Sequence, residues 1–237
     1  MNDTAATRPY SSSVGDYVKA IWEVASADAA STKDVADRLS ISPASVTNMF
    51  VRLQEMGLVG YERYRGASLT EEGQAEAIRL VRRHRLIETF LMEHLGYPWE
   101  AVHEEAERLE HAVSDGFTER LAEFLGQPDR DPHGDPIPTE AGTLPPEVSF
   151  PLSDSTAGAR VEIARVKQED TPVLEYLGER GLMPGRRIIV REVRAVDGVV
   201  TVKDEEGTSY SLGSPLADAI FVRRLSENGS QQGSFLE

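Results

Sequence analysis

The apolar periodicity of this chain changes once along its length, and that change limits the folds open to it. Up to about residue 125, apolar residues recur mostly at helical spacing, three or four positions apart. A stretch rich in Pro, Gly, Asp and Ser follows at 126–157, "GQPDRDPHGDPIPTEAGTLPPEVSFPLSDSTA", and reads as a linker. Beyond it, "ARVEIARV", "RRIIVREV", "VVTVKDE", "TSYSLG" and "AIFVRRL" alternate apolar and polar residues, with the brief helical segment "PVLEYLGERGLMPG" after the first. Five short strands with glycine turns predict a small β-barrel over 158–226, and the polar residues 227–237 a flexible tail. The expected class is mainly α with a small β-barrel. A chain of 237 residues has room for two domains and a small third.

The first 70 residues predict a DNA-binding module. "SVGDYVKAIWEVASA" is an amphipathic helix, and "STKDVADRLS" is a second, capped by Ser31 or Thr32. A tight connection leads to "PASVTNMFVRLQEMG", with Ser42 as N-cap, Pro43 at the first helical position and Gly57 as the stop. Apolar and polar residues then alternate around Arg65-Gly66, a hairpin signal. Helix, turn, helix and hairpin make a winged helix-turn-helix. In its second helix Val46, Met49, Phe50 and Leu53 are expected inside. The short polar residues Ser42, Ser45, Thr47 and Asn48 are expected to reach phosphates or base edges, and Arg52, Arg63 and Arg65 to meet phosphates. The bland alternative is a helical packing unit with an ornamental hairpin.

The formal net charge of −15 argues against a nucleic-acid partner only until its distribution is considered. Residues 1–70 carry eight acids and seven bases, whereas 71–125 carry thirteen acids and six arginines. The surplus lies away from the module that would touch DNA. Zero cysteines exclude disulfides, zinc–thiolate sites and thiol catalysis. No run of 18 apolar residues predicts a membrane span, and "MNDTAATRPYSSS" lacks the features of a secretion signal, so a cytoplasmic location is expected.

The acid-rich segment also holds most of the histidines. A long helix is predicted from Glu71 to about Leu95, broken by Gly96 and Pro98, then a ligand-bearing helix from about Trp99 to His111, then "DGFTERLAEFL". Three amphipathic helices over 71–125 suit a dimerisation unit. On the second, His103, Glu107, Glu110 and His111 fall within about a quarter-turn, beside an apolar stripe of Val102, Ala106, Leu109 and Val113. On the first, His84 and Glu88 are one turn apart. Imidazole with carboxylate suits Mn(II), Fe(II), Zn(II) or Co(II) better than the all-oxygen sites of calcium or magnesium. His94 and His133 have no such partners in sequence and receive no role. HExxH, GxSxG and Walker-type motifs are missing, which weighs against a metal-dependent hydrolase with an accessory DNA-binding module. A regulator that senses an organic ligand, with the His/Glu row merely solvated, is the other alternative.

Taken together, "SVGDYVKAIWEV", "SPASVTNMFVRLQEMGLV", "RRHRLIETFL" and "VHEEAERLEHAVSD", in that order, resemble the diphtheria-toxin-repressor type of metal-dependent transcription regulator, and more closely its manganese-responsive members. The resemblance covers roughly residues 10–226. "PHGDPIP" and "LGSPLADAIFV" are also family-like, and the last domain is similar to the SH3-like, ferrous-transport-A type. The resemblance implies a homodimer that binds a double-stranded operator, is not an enzyme, and uses metal as corepressor at metal-uptake promoters. It implies a primary metal site of Asp16, Glu107, Glu110 and His111 and a second of His84, Glu88 and His103. The barrel's first loop, "RVKQEDTP", offers Gln168, Glu169 and Asp170 to complete the second, with Glu169 or Asp170 favoured. Oxygen at positions 16 and 107, where iron-type members carry sulfur, makes Mn(II) the first choice and Fe(II) its competitor. Lys19 stands where the manganese subgroup's compact two-metal site has a glutamate, and an ammonium cannot ligate.

Overall fold

A computed structural model describes residues 10–25, 29–167 and 171–225. Gln168, Glu169 and Asp170, offered for the second metal site, lie outside the described residues. Among those described there are eight α-helices, a two-stranded hairpin and a six-stranded antiparallel sheet, divided between two compact units.

The first unit takes in residues up to 87 together with 107–127 and 137–144. It opens with α1 (Ser12–Val24), α2 (Thr32–Leu39) and α3 (Pro43–Glu55). The caps lie where the sequence puts them. Ser31 Oγ accepts from Asp34 N at the head of α2, and Ser42 Oγ accepts from Ser45 N at the head of α3, each satisfying an amide that the helix leaves open. Strands β1 (Val59–Glu62) and β2 (Gly66–Leu69) pair antiparallel as the expected hairpin. Gly66 has φ +97°, and a Cβ there would stand 2.2 Å from the carbonyl oxygen of Ala30, which bridges Ala67. The core joins Val14, Val18 and Ile21 of α1 to Val35 of α2 and to Val46, Phe50 and Leu53 of α3, all with no exposed surface. Burying Phe50 alone stabilises this packing by roughly 1.5–3 kcal/mol.

Helix α4 (Glu71–Leu95) has the predicted bounds and begins in the first unit. The ligand-bearing helix is shorter than expected: α5 runs Val102–Glu110, and Trp99 sits in the turn before it. Trp99 instead turns its ring into a core and donates Nε1–H to the carbonyl oxygen of Pro132 at 2.9 Å. On α5 Val102 and Ala106 are buried as expected, while Leu109 is exposed. Helix α6 (Asp115–Phe124) follows, capped by Ser114. Arg82 holds this part of the unit together, reaching Glu119 at 2.7 Å and the carbonyl of Pro138 at 2.7 Å.

The second unit takes in 88–106, 128–136 and the chain from 145 onward. All five predicted strands are present as β4 (Arg160–Val166), β5 (Arg187–Arg194), β6 (Val199–Asp204), β7 (Ser209–Leu212) and β8 (Ile220–Arg224), preceded by the two-residue β3 (Phe150–Pro151). Helix α7 (Thr171–Gly178) is the brief helix expected between the first two, and α8 (Ser214–Ala219) precedes β8. The expectation of a closed barrel is corrected: the order is β3-β8-β4-β5-β6-β7, so the ladder is open, with β3 and β7 as its edges. Register shifts in β4 and β5 bend the sheet around its core, as bulges do, without joining the edges. The core beneath joins Val161, Ile163, Val190, Val202 and Val222 of the strands to Leu174 and Leu177 of α7 and to Trp99. The stretch 126–157 has little regular structure, yet His133, Ile137 and Leu152 within it are buried.

Candidate metal centre

The side chain of Glu110, at the last position of α5, is the hub of the first unit. It is 1% exposed, and both its oxygens are engaged. Oε1 accepts from Lys19 Nζ at 2.8 Å, and Oε2 lies 2.6 Å from His84 Nδ1. Arg83 fixes the backbone beneath, donating to the carbonyl oxygen of Glu110 at 3.0 Å. Burial opposes the carboxylate's charge, but the hydrogen bond and charge of His84 and the ammonium of Lys19 outweigh it, holding the Glu110 pKa down at about 2. For Lys19 burial again works against charge, and the attraction of Glu110 prevails, raising its pKa.

Asp16 comes from α1 and His111 from the residue after α5, and Asp16 Oδ1 lies 2.8 Å from His111 Nε2. Burial raises the Asp16 pKa, against the pull of His111 and Lys19. Ligand-type atoms of Asp16, Glu110 and His111 all lie within 4.8 Å of one another. Gly15 allows this approach, since a Cβ there would meet Leu80 at 3.2 Å and His111 at 3.7 Å. Two carboxylates and an imidazole, carried by separate elements and free of sulfur, form a donor set that fits a divalent first-row cation.

The structure therefore brings together three of the four residues of the expected primary site. Glu107 is half-exposed, with Oε1 3.7 Å from Lys19. His84 is drawn to Glu110, while one turn further along α4 Glu88 accepts or shares a proton with His103 at 3.0 Å within the second unit. Sequence reasoning gave Lys19 no place in the interior, although its position three residues after Asp16 puts both on neighbouring faces of one helix. It also gave His133 no role. That ring has no exposed surface, stacks on Trp99 at 5.2 Å, and sits by Asp131 and Glu88. His94 stacks on Phe90 one turn earlier on α4.

In the winged module Ser42, Ser45, Asn48, Arg52, Arg63 and Arg65 are exposed and Thr47 partly so. Ser42 is occupied as the cap, and the Thr47 hydroxyl donates to the carbonyl of Pro43 at 3.0 Å, which leaves Asn48 and Arg52 as the outward polar groups of mid-α3. At the hairpin tip Arg63 lies over the ring of Tyr64, and Arg65 pairs with Glu62 at 3.1 Å.

Comparison with known proteins fits this layout. Residues 10–67 match the N-terminal DNA-binding domain of the iron-dependent repressors, and 70–139 match their metal-binding and dimerisation domain. Residues 150–224 match the FeoA domain. The iron-dependent repressor IdeR of Mycobacterium tuberculosis is 32% identical over 203 residues, 81% of this chain and 87% of its own. The chain belongs to the iron-dependent repressor family. It is also 36% identical over 114 residues to the transcriptional regulator MntR of Lysinibacillus sphaericus, covering 48% of this chain and 81% of that protein. A solved manganese-dependent transcriptional repressor in complex with manganese superposes with a TM-score of 0.83 at 40% identity, over 90% of this chain and all of that one. The protein is thus a metal-dependent, DNA-binding transcription regulator, and no helix among the described residues is long and apolar enough to cross a membrane.

Proposed function

We propose that this protein is a Mn(II)-activated repressor that binds operator DNA as a homodimer, with Asp16, Glu107, Glu110 and His111 as the primary metal site. The observation that carries the reading is the meeting of Asp16, from the DNA-reading module, with Glu110 and His111 at the end of α5. A divalent cation held there supplies the positive charge that lets these carboxylates sit together. Asp16 then ties α1 to α5, and with α1 the packed α2 and α3. Fixing the reading helices removes part of the ordering cost of docking two modules on half-sites about one helical turn apart. Metal and operator then strengthen each other's binding reciprocally.

His84, Glu88 and His103 are proposed as a second site, with Glu169 or Asp170 completing it. Phe117 and Phe124, two turns apart on α6 and 48% and 63% exposed, offer an apolar face to a second copy. Asn48 reads base edges, while Arg52, Arg63 and Arg65 contact phosphates, with Ser42, Ser45 and Thr47 shaping the start of α3. The absence of cysteine and the oxygen-rich donors favour Mn(II), and the names of the iron-dependent relatives support Fe(II) as the second reading. Metal-uptake promoters and a cytoplasmic location complete the proposal.

The test is an anaerobic gel-shift titration with Mn(II), Fe(II) and Zn(II), on the wild type and on Asp16→Ala. The expected outcome is a dimeric variant whose operator binding no longer responds to metal. A normal Mn(II) response in Asp16→Ala would refute the tethering role of Asp16.

A further inference from the structure

A separate group of ligand-type side chains meets inside the second unit. Glu88 on α4 and His133 have no exposed surface, and Asp131 is 6% exposed. One candidate ligand atom from each lies within 4.8 Å of the other two. Two carboxylates buried side by side are costly unless a proton or a cation stands between them.

The imidazole shows which is favoured. His133 Nε2 lies 3.1 Å from the carbonyl oxygen of Trp99, which can only accept, so Nε2 carries a proton. In the neutral ring this leaves Nδ1 with its lone pair. A histidine with one N–H anchored on a backbone carbonyl has the tautomer and ring orientation that metal-ligating histidines need. Asp131 is fixed as firmly, because its Oδ1 accepts from the amides of His133 at 2.9 Å and Asp135 at 3.0 Å. The stacked Trp99 ring closes one side.

We propose that Glu88, Asp131 and His133 form a further binding site for a first-row divalent cation. The site is complete in these three residues. Glu88 also contacts His103 at 3.0 Å, so its carboxylate is shared with the proposed second site and would bridge the two. The inference rests on its own cluster, and Glu88 is the one residue common to both readings.

The experiment counts Mn(II) equivalents bound per protomer by the full-length chain, from the electron paramagnetic resonance signal of free Mn(II) under anaerobic titration. The double variant Asp16→Ala/His84→Ala is expected to retain one equivalent, and none retained overturns the proposal. His133→Phe, which keeps a ring against Trp99, and Asp131→Asn, which keeps an acceptor for the two turn amides, are each expected to lose one equivalent. Circular dichroism verifies the fold, and if His133→Phe does not fold, Asp131→Asn and the double variant decide. Wild-type counts in both single variants would make the cluster a proton-sharing structural element and refute the site. Loss in His133→Phe with no loss in His84→Ala would instead overturn the second-site reading and leave this one standing.

Discussion

Replacing Lys19 with methionine should tighten Mn(II) binding. The Lys19 ammonium donates to Glu110 Oε1 at 2.8 Å, with the two side chains only 6% and 1% exposed. A buried hydrogen bond between charged groups contributes about 1.5–3 kcal/mol. Glu107, at 3.7 Å and 46% exposed, adds little through solvent-screened attraction. A cation that uses Glu110 has to displace or share this bond, so Lys19 acts as an internal competitor. Removing it should lower the Mn(II) dissociation constant roughly 10- to 150-fold, at about 1.4 kcal/mol per decade. The metal-free variant should also melt at lower temperature, because Glu110 loses a partner in the interior. Lys19→Arg should stay near the wild type in affinity. Isothermal titration calorimetry gives the constants, and thermal melts with and without Mn(II) give the stability difference. A folded Lys19→Met protein with unchanged or weaker Mn(II) affinity would refute the competition.

Asn48→Ala should relax sequence preference, whereas Arg52→Ala should weaken binding to operator and random DNA alike and lower the salt dependence; competition assays at two salt concentrations distinguish them. Glu110, held at about 2 against an ordinary 4.5, contributes stability that is present above pH 4.5 and lost as pH falls towards 2. Urea unfolding of the metal-free protein from pH 5 to 2.5 should therefore show a steeper loss in the wild type than in Glu110→Gln. Gly66→Ala should destabilise the winged module by more than about 1 kcal/mol, since the new Cβ meets the Ala30 carbonyl at a positive φ, and thermal unfolding measures it.

The winged module was legible because its signals are local. Ser31 and Ser42 cap the helices they precede, and the hairpin turns where Arg65-Gly66 predicts. The periodicity of α4 gave its two ends, and the five alternating segments became five strands. What escaped depends on contacts distant in sequence. Lys19 and Glu110 are 91 positions apart, and no helical pattern of either segment announces their ion pair. His133 lies among prolines and glycines, where no periodicity exists, and only the fold brings Trp99 over it. Whether a sheet closes is likewise decided by edge pairing, which alternation cannot report. On α5 the apolar stripe overreached at Leu109, since a stripe marks a face without saying how much of it this chain covers.

Trp99 has a consequence for how this protein can be cut. The matched C-terminal domain begins at residue 150, yet the core beneath its strands includes Trp99, with Met92 packed against it, and Gly178 of α7 lies close to the indole ring. A fragment starting at 150 would lose its large aromatic plug and present a greasy hollow to water. Any excised or transplanted version of this module needs to carry the tail of α4 and the turn after it, so the smallest portable piece is discontinuous in the gene.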